Sequence, residues 1–299
     1  MPKERTNLTR SHRIDYRPFL YILPALIGCL VFTVYPVIYL FYLSLYKVDL
    51  LSNTWKFVDV QNYLSLAQSQ DFLQVLRNSF FYSFFTVSIS CTLSLILAVL
   101  LNRPGKLHQF VQTAVFTPHI IPLVSISLLW MWMMDKDYGL LNMILQSLHL
   151  PTLLWIDSPA TSLMSLILVA IWKSLGFNIL LIIAGMHAIP IPVLEAARLD
   201  SANPVRIVTK IIIPLLSPTL FFMLTVNIIS SLQVFDSVKV LTSGGPANSS
   251  NVLVYWIYQT GFEFYKFGEA STGAVILFVI VSIVTIANFL ILRSRVHYH

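Results

Sequence analysis

The chain has 299 residues, 57% of them hydrophobic and only 11% charged, with a mean hydropathy of +0.76. Soluble domains carry about a quarter of their residues as charges, so this composition excludes one and requires an integral membrane protein. The net charge of +6 argues for a nucleic-acid partner only if the basic residues cluster, and they follow the membrane topology instead.

The first 17 residues form a basic tail carrying Lys3, Arg5, Arg10, Arg13 and Arg17. The apolar stretch after it is too long for a signal-peptide core and ends in no small-residue cleavage site, which predicts a retained first span. A hydrocarbon core about 30 Å thick needs about 20 apolar residues per helix. Six stretches qualify: Phe19–Tyr46, Ser79–Leu101, Phe110–Met134, Ala160–Ile189, Ile213–Phe235 and Ala270–Leu292. None shows the short alternating strands of a barrel, so residues 18–299 are expected to form an all-α bundle of six transmembrane helices. Cys29 and Cys91 lie inside apolar runs and read as packing residues, with no disulfide framework or zinc site.

Orientation follows from the excess of Lys and Arg in cytoplasmic loops. With the N-terminus inside, the tail, Arg103, Lys106, Arg198, Arg206, Lys210, Arg293 and Arg295 place twelve basic residues on the cytoplasmic side. The outer side receives Lys47, Lys56, Arg77, Lys136, Lys239 and Lys266 together with most of the acids. Both termini are therefore expected in the cytoplasm. The outer loops, about 25 to 35 residues each, are long for helix connections. Their Trp55, Trp155 and Trp256 suit either an interfacial aromatic belt or a docking surface for an extracytoplasmic partner. Ser243-Gly244-Gly245-Pro246 in the last outer loop predicts a tight turn and not a phosphate loop, since no Lys-Ser/Thr follows it.

Polar residues inside spans are functional candidates by default. Lys173 and Asn178 lie in the fourth span, Asn227, Ser230, Ser231 and Gln233 in the fifth, and Asp236 at its outer end. Helical spacing places Asn227, Ser230 and Ser231 on one face. They can serve interhelical hydrogen bonding or line a polar pathway for a hydroxylated solute; the pathway candidates are Lys173, Asn178, Asn227, Ser231, Gln233 and Asp236. His119 and Asn142 are undiagnostic. No paired aspartates, Ser–His pair or HExxH helix falls in the spans, so no catalytic residue or metal site is predicted and an intramembrane enzyme is not indicated. No internal repeat supports a self-contained secondary transporter.

Between the fourth and fifth spans, residues 190–212 form a polar, helix-favouring loop on the cytoplasmic side. Pro192 suits a first helical turn, and Glu195-Ala196-Ala197-Arg198-Leu199 are mostly good helix formers. Asn203-Pro204 should end that helix, and a second short helix, Val205–Lys210, should lead through Pro214 into the fifth span. On local pattern this element is either an amphipathic connector in the headgroups or a docking element.

Glu195-Ala196-Ala197, Asp200, Ala202, Ile212, Pro214, Leu215 and Pro218 resemble the "EAA" signature of permease subunits of binding-protein-dependent ABC importers. Ile189-Pro190, Trp172-Lys173, Gly176-Phe177-Asn178 and Thr242-Ser243-Gly244-Gly245-Pro246 fit the same family. Together they resemble its carbohydrate-uptake branch, including maltose-type and glycerol-3-phosphate-type permeases. The resemblance implies the type I importer permease fold, with Glu195, Ala196, Ala197, Arg198, Asp200, Ser201 and Ala202 on a cytoplasmic coupling helix that inserts into a separate ATP-hydrolysing subunit. It implies a second permease, expected to be a paralogue, two ATPase subunits and an extracytoplasmic binding protein in a bacterial or archaeal cytoplasmic membrane. The solute expected is a sugar or sugar-like molecule, with glycerol 3-phosphate or a glycerophosphodiester as the alternative. The chain has no GxxxxGK[ST] motif, so ATP and Mg belong to the partner ATPase and this subunit is expected to bind no cofactor. Ser201 departs from the family's usual glycine.

Overall fold

The computed structural model describes residues 17–49, 54–199 and 203–293. The expected basic tail before Arg17, together with Asp200, Ser201, Ala202 and Arg295, lies outside them. Among the described residues four continuous helices are long and apolar enough to cross a membrane: Tyr21–Ser44, Gln70–Leu101, Ser162–His187 and Phe267–Leu290. The other two expected spans are each broken. Lys106–Ile120 meets Leu123–Met133 at 102°, and Pro204–Leu215 meets Ser217–Leu232 at 71°. Counting each bent pair once gives the six spans expected, numbered here first to sixth in chain order.

Both breaks have a local cause. Ile121 precedes Pro122 and sits in the extended region at φ −74° and ψ 137°, as steric conflict with a following proline demands. In the fifth span the helix does not stop after Lys210 as expected. It runs on to Leu215 through a wider π turn over Val208–Ile212, which re-registers the backbone ahead of Pro214, and bends at Leu216, just before Ser217-Pro218.

The fourth span is the axis of the bundle: half of its most apolar window is buried, against 28% for the second span and none for the first. A helix apolar all round belongs in the interior. Its outer half joins Tyr82, Trp130, Met134, Val238 and Tyr255 in one apolar cluster through Leu166, Val169 and Ile171. Its inner half joins Ala98, Leu216 and Met223 in a second through Ile179, Ile182, Ile183 and Met186. The second span presents a stripe of small polar residues, Ser79, Ser83, Thr86, Ser90 and Ser94, all buried. Side chains of that size let helices approach closely in a membrane.

Outside the spans, a two-stranded antiparallel hairpin follows the first span, β1 (Tyr46–Asp49) on β2 (Thr54–Phe57), which the hydropathy pattern did not reveal. The expected turn is present: Ser243 and Gly244 have φ of 46° and 76° before a cis Gly245–Pro246 bond. Asn78 Nδ2 donates to the carbonyls of Asn248 and Asn251 at 2.8 and 3.0 Å, tying this loop to the second span. Of the three outer tryptophans only Trp55 is exposed, at 46%. Trp155 donates to Asn142 Oδ1 at 3.0 Å, and Trp256 packs edge-on against Phe72. Both rings fasten the segments that carry them to the rest of the chain.

Candidate functional site

The segment Trp172–Asn178 grips both sides of the break in the third span. In an unbroken helix the carbonyl of Pro118 would accept from residue 122, but Pro122 has no N–H to give. Lys173 Nζ supplies the missing donor, reaching the Pro118 carbonyl at 3.2 Å and that of Ile121 at 2.7 Å. One turn further, Phe177 stacks on His119 with ring centres 4.9 Å apart. Between them Gly176 lies so close to the third span that a Cβ would collide with the backbone of Val115 and Phe116. Trp172 meets Trp130 beyond the break at 5.4 Å. Asn178, fully buried, exchanges two hydrogen bonds with Asn227 of the fifth span, at 2.9 and 3.3 Å. A seven-residue stretch of the fourth span thereby fixes the third and fifth spans on either side of it.

Where the two apolar clusters part, these elements border a cavity of about 440 Å³ that opens to the surface. All six pathway candidates, Lys173, Asn178, Asn227, Ser231, Gln233 and Asp236, line it, as does Ser230. Their engagements differ. Asn178 and Asn227 are consumed by each other, and Asn227 Nδ2 also donates to the Met223 carbonyl at 2.8 Å. Ser231 pairs with Ser83 Oγ at 2.7 Å and is buried. Those three therefore follow the interhelical reading. The side chains of Ser230, Gln233 and Asp236 are exposed to the cavity side and make no hydrogen bond among the described residues. Tyr82, Thr86, His119 and Phe177 also line the cavity and were missed by sequence reasoning. The signal for Thr86 was present in the Ser/Thr stripe of the second span; His119 follows Pro118 at the break, which a straight third span conceals. Among the described residues no group of three or more His, Cys, Asp or Glu could hold a metal.

The second candidate region is the helix Ile191–Leu199. Pro192, Glu195, Ala196 and Leu199 are exposed, and their spacing puts them on a single face. Leu194 points the other way, into the inner apolar cluster. Ala197, expected at the inserted end with Glu195 and Ala196, is only 6% exposed, two positions from Glu195 and on the face turned toward the chain's own body. Its small size serves packing inside the chain. Of the remaining members, Arg198 lies on this helix by its backbone. Asn203 Oδ1 accepts from the Val205 N–H at 3.0 Å, and Pro204 stands in the first turn that follows. That cap starts the next helix and turns the chain back toward the fifth span.

The description "Binding-protein-dependent transport system inner membrane component" belongs to a family whose model matches residues 90–298. The chain is 31% identical over 285 residues to the sn-glycerol-3-phosphate transport system permease protein UgpA of Agrobacterium fabrum, covering 94% of this chain and 96% of that protein. It is 31% identical over 294 residues to the trehalose/maltose transport system permease protein MalF of Thermococcus litoralis, covering 97% of each. In fold it is similar to a chain of a bacterial alginate ABC transporter solved in complex with an alginate pentasaccharide-bound periplasmic protein, with a TM-score of 0.81, 22% identity, and 92% and 93% of the two chains covered.

Proposed function

Since the chain belongs to the family of binding-protein-dependent transport system inner membrane components, we propose that it is a permease subunit passing a sugar or sugar-like solute from an extracytoplasmic binding protein into the cytoplasm. The observation that carries this reading is the cavity: six polar residues from the fourth span, the fifth span and the helix after it converge on one space between two apolar cores. Six spans provide half a pathway, and the other half comes from a second permease, a paralogue in the branch this chain resembles. Both termini and the Ile191–Leu199 helix face the cytoplasm, in accord with the basic residues on that side.

A transporter alternates between inward-open and outward-open states, and ATP biases that equilibrium only by binding the two with different affinity. This chain has no phosphate loop, so the bias enters through a docked ATPase. The exposed face of Pro192, Glu195, Ala196 and Leu199 is the docking surface: short, helical and joined to the fourth span by Ala188–Pro190. ATP and its Mg stay on that partner. Glycerol 3-phosphate is the alternative solute, because relatives at 31% identity are named for it as well as for trehalose and maltose.

The complete importer in proteoliposomes, given its binding protein, should accumulate labelled maltose or trehalose only when ATP and the ATPase subunit are present. Accumulation without the ATPase subunit would refute the importer reading.

A further inference from the structure

The charges of the cavity choose between the two solute classes. Its lining carries one ammonium, Lys173, and one carboxylate, Asp236. The ammonium is already occupied: two of its three protons point at the carbonyls that the proline break left without partners, Pro118 at 3.2 Å and Ile121 at 2.7 Å. The carboxylate is not. Asp236 is exposed and makes neither a hydrogen bond nor an ion pair among the described residues. Lys239, the nearest cation along its helix, is taken by Glu263 at 2.7 Å. Among the other polar side chains of the lining, Gln233 and Ser230 are neutral and unengaged, and the imidazole of His119 stacks on Phe177.

We propose that Asp236 is a specificity-determining residue of this cavity, accepting hydroxyl hydrogen bonds from an uncharged polyhydroxylated solute and rejecting phosphorylated or sulfonated ones. The proposal rests on the importer reading and narrows its solute class. A hydroxyl donated to an ionised oxygen makes a hydrogen bond roughly twice as strong as a neutral one, and a carboxylate accepts several at once. A phosphate brings only acceptors and negative charge at cytoplasmic pH. Placed beside a free carboxylate, it meets like-charge repulsion. Lys173 keeps its charge, but two of its donors are committed to the backbone, so an incoming phosphate finds one proton of that ammonium against a wholly unengaged carboxylate. The aromatic faces of Tyr82, Phe177 and Phe235 complete the lining with apolar area suited to the C–H faces of a sugar ring.

The test uses the assembled importer in lipid nanodiscs without its binding protein, titrated calorimetrically with maltose, trehalose and sn-glycerol 3-phosphate, beside ATP-driven uptake by the complete system. The wild-type complex should bind the neutral sugars more tightly than glycerol 3-phosphate. Asp236→Asn should weaken neutral binding about ten-fold, the size expected for a hydrogen bond to a charged group, and narrow the gap to the anion; Asp236→Glu should keep the preference. Since Asp236 has no partner within the chain, both variants should assemble normally. Tighter binding of glycerol 3-phosphate by wild type, an unmoved affinity ratio in Asp236→Asn, or binding of no probe while ATP-driven uptake persists would each overturn the assignment of Asp236 alone. Loss of ATP dependence of uptake in the wild-type system would instead overturn the importer reading, and the assignment with it.

Discussion

Replacing Lys173 with Met isolates what the ammonium does, because methionine keeps a flexible apolar stem of similar length and removes only the donors and the charge. Hydrogen bonds to charged groups contribute about 1.5 to 3 kcal/mol each. The Pro118 carbonyl is partly buried and has lost its helical donor to Pro122, so its share falls in that range. The Ile121 carbonyl is exposed, and water replaces part of what the lysine gave. The loss expected for Lys173→Met is therefore about 2 to 4 kcal/mol of stability, concentrated at the break in the third span. Thermal unfolding of the purified permease pair, followed by intrinsic fluorescence, should show a lower midpoint. Trp130 and Trp172 pack on each other between the third and fourth spans and report on that packing. Lys173→Arg, which keeps the donors, should recover part of the loss. A Lys173→Met complex that unfolds at the wild-type midpoint yet no longer binds solute would refute this account and make the lysine a solute ligand.

Asn227→Leu leaves Asn178, fully buried, without its partner and should cost about 1 to 3 kcal/mol; replacing both amides together should cost less than Asn227→Leu alone, a difference that unfolding midpoints of the three variants can read. Ala196→Trp and Glu195→Lys alter only the exposed face of the Ile191–Leu199 helix, and under the proposed docking each should reduce co-purification of the ATPase subunit while membrane insertion stays normal; undiminished co-purification and uptake in both would count against docking there. In the outer segment, the hydrogen bond from Lys239 to Glu263 holds the ammonium pKa above its ordinary value. A raised pKa in the folded state stabilises fully below the unfolded lysine value and fades as pH rises through the folded one, so the difference in midpoint between Glu263→Gln and wild type should be flat from about pH 6 to 9 and shrink only beyond the lysine range.

Hydropathy alone located all six spans, because an apolar run long enough to cross lipid has few other uses. It did not disclose the two breaks, since the average over a window is blind to a single missing N–H. Pro118 and Pro122, four residues apart, carried that information: the second cannot donate to the first, and a donor had to come from elsewhere. The polar candidates of the fourth and fifth spans were legible for the same reason as the spans, each being costly in lipid. Their division of labour was not, because whether Asn227 meets Asn178 or open space depends on the azimuth of two helices about their own axes. Ala197 shows the same gap on a smaller scale. Its neighbours Glu195 and Ala196 face outward while it faces the body, and only the packing of Leu194 into the inner cluster sets that rotation. The β1–β2 hairpin escaped notice because four-residue strands leave little periodicity to read.

The fourth span is an uninterrupted helix with apolar packing at both ends and the Ile191–Leu199 helix close behind its C-terminal end, which gives it the geometry of a lever. His187 and Lys173 are separated by fourteen residues, a moment arm of about 21 Å at 1.5 Å per residue. Pivoting that arm by about 10° at its inner end sweeps Lys173 through about 4 Å by the same geometry, more than enough to pull the ammonium off both carbonyls, whose bonds fail beyond about 3.5 Å. The sweep grows along the arm, so the cluster of Leu166, Val169 and Ile171, which includes Trp130 and Met134 beyond the break, has to travel with the fourth span, and the break at Ile121–Pro122 is where the third span can take up that motion.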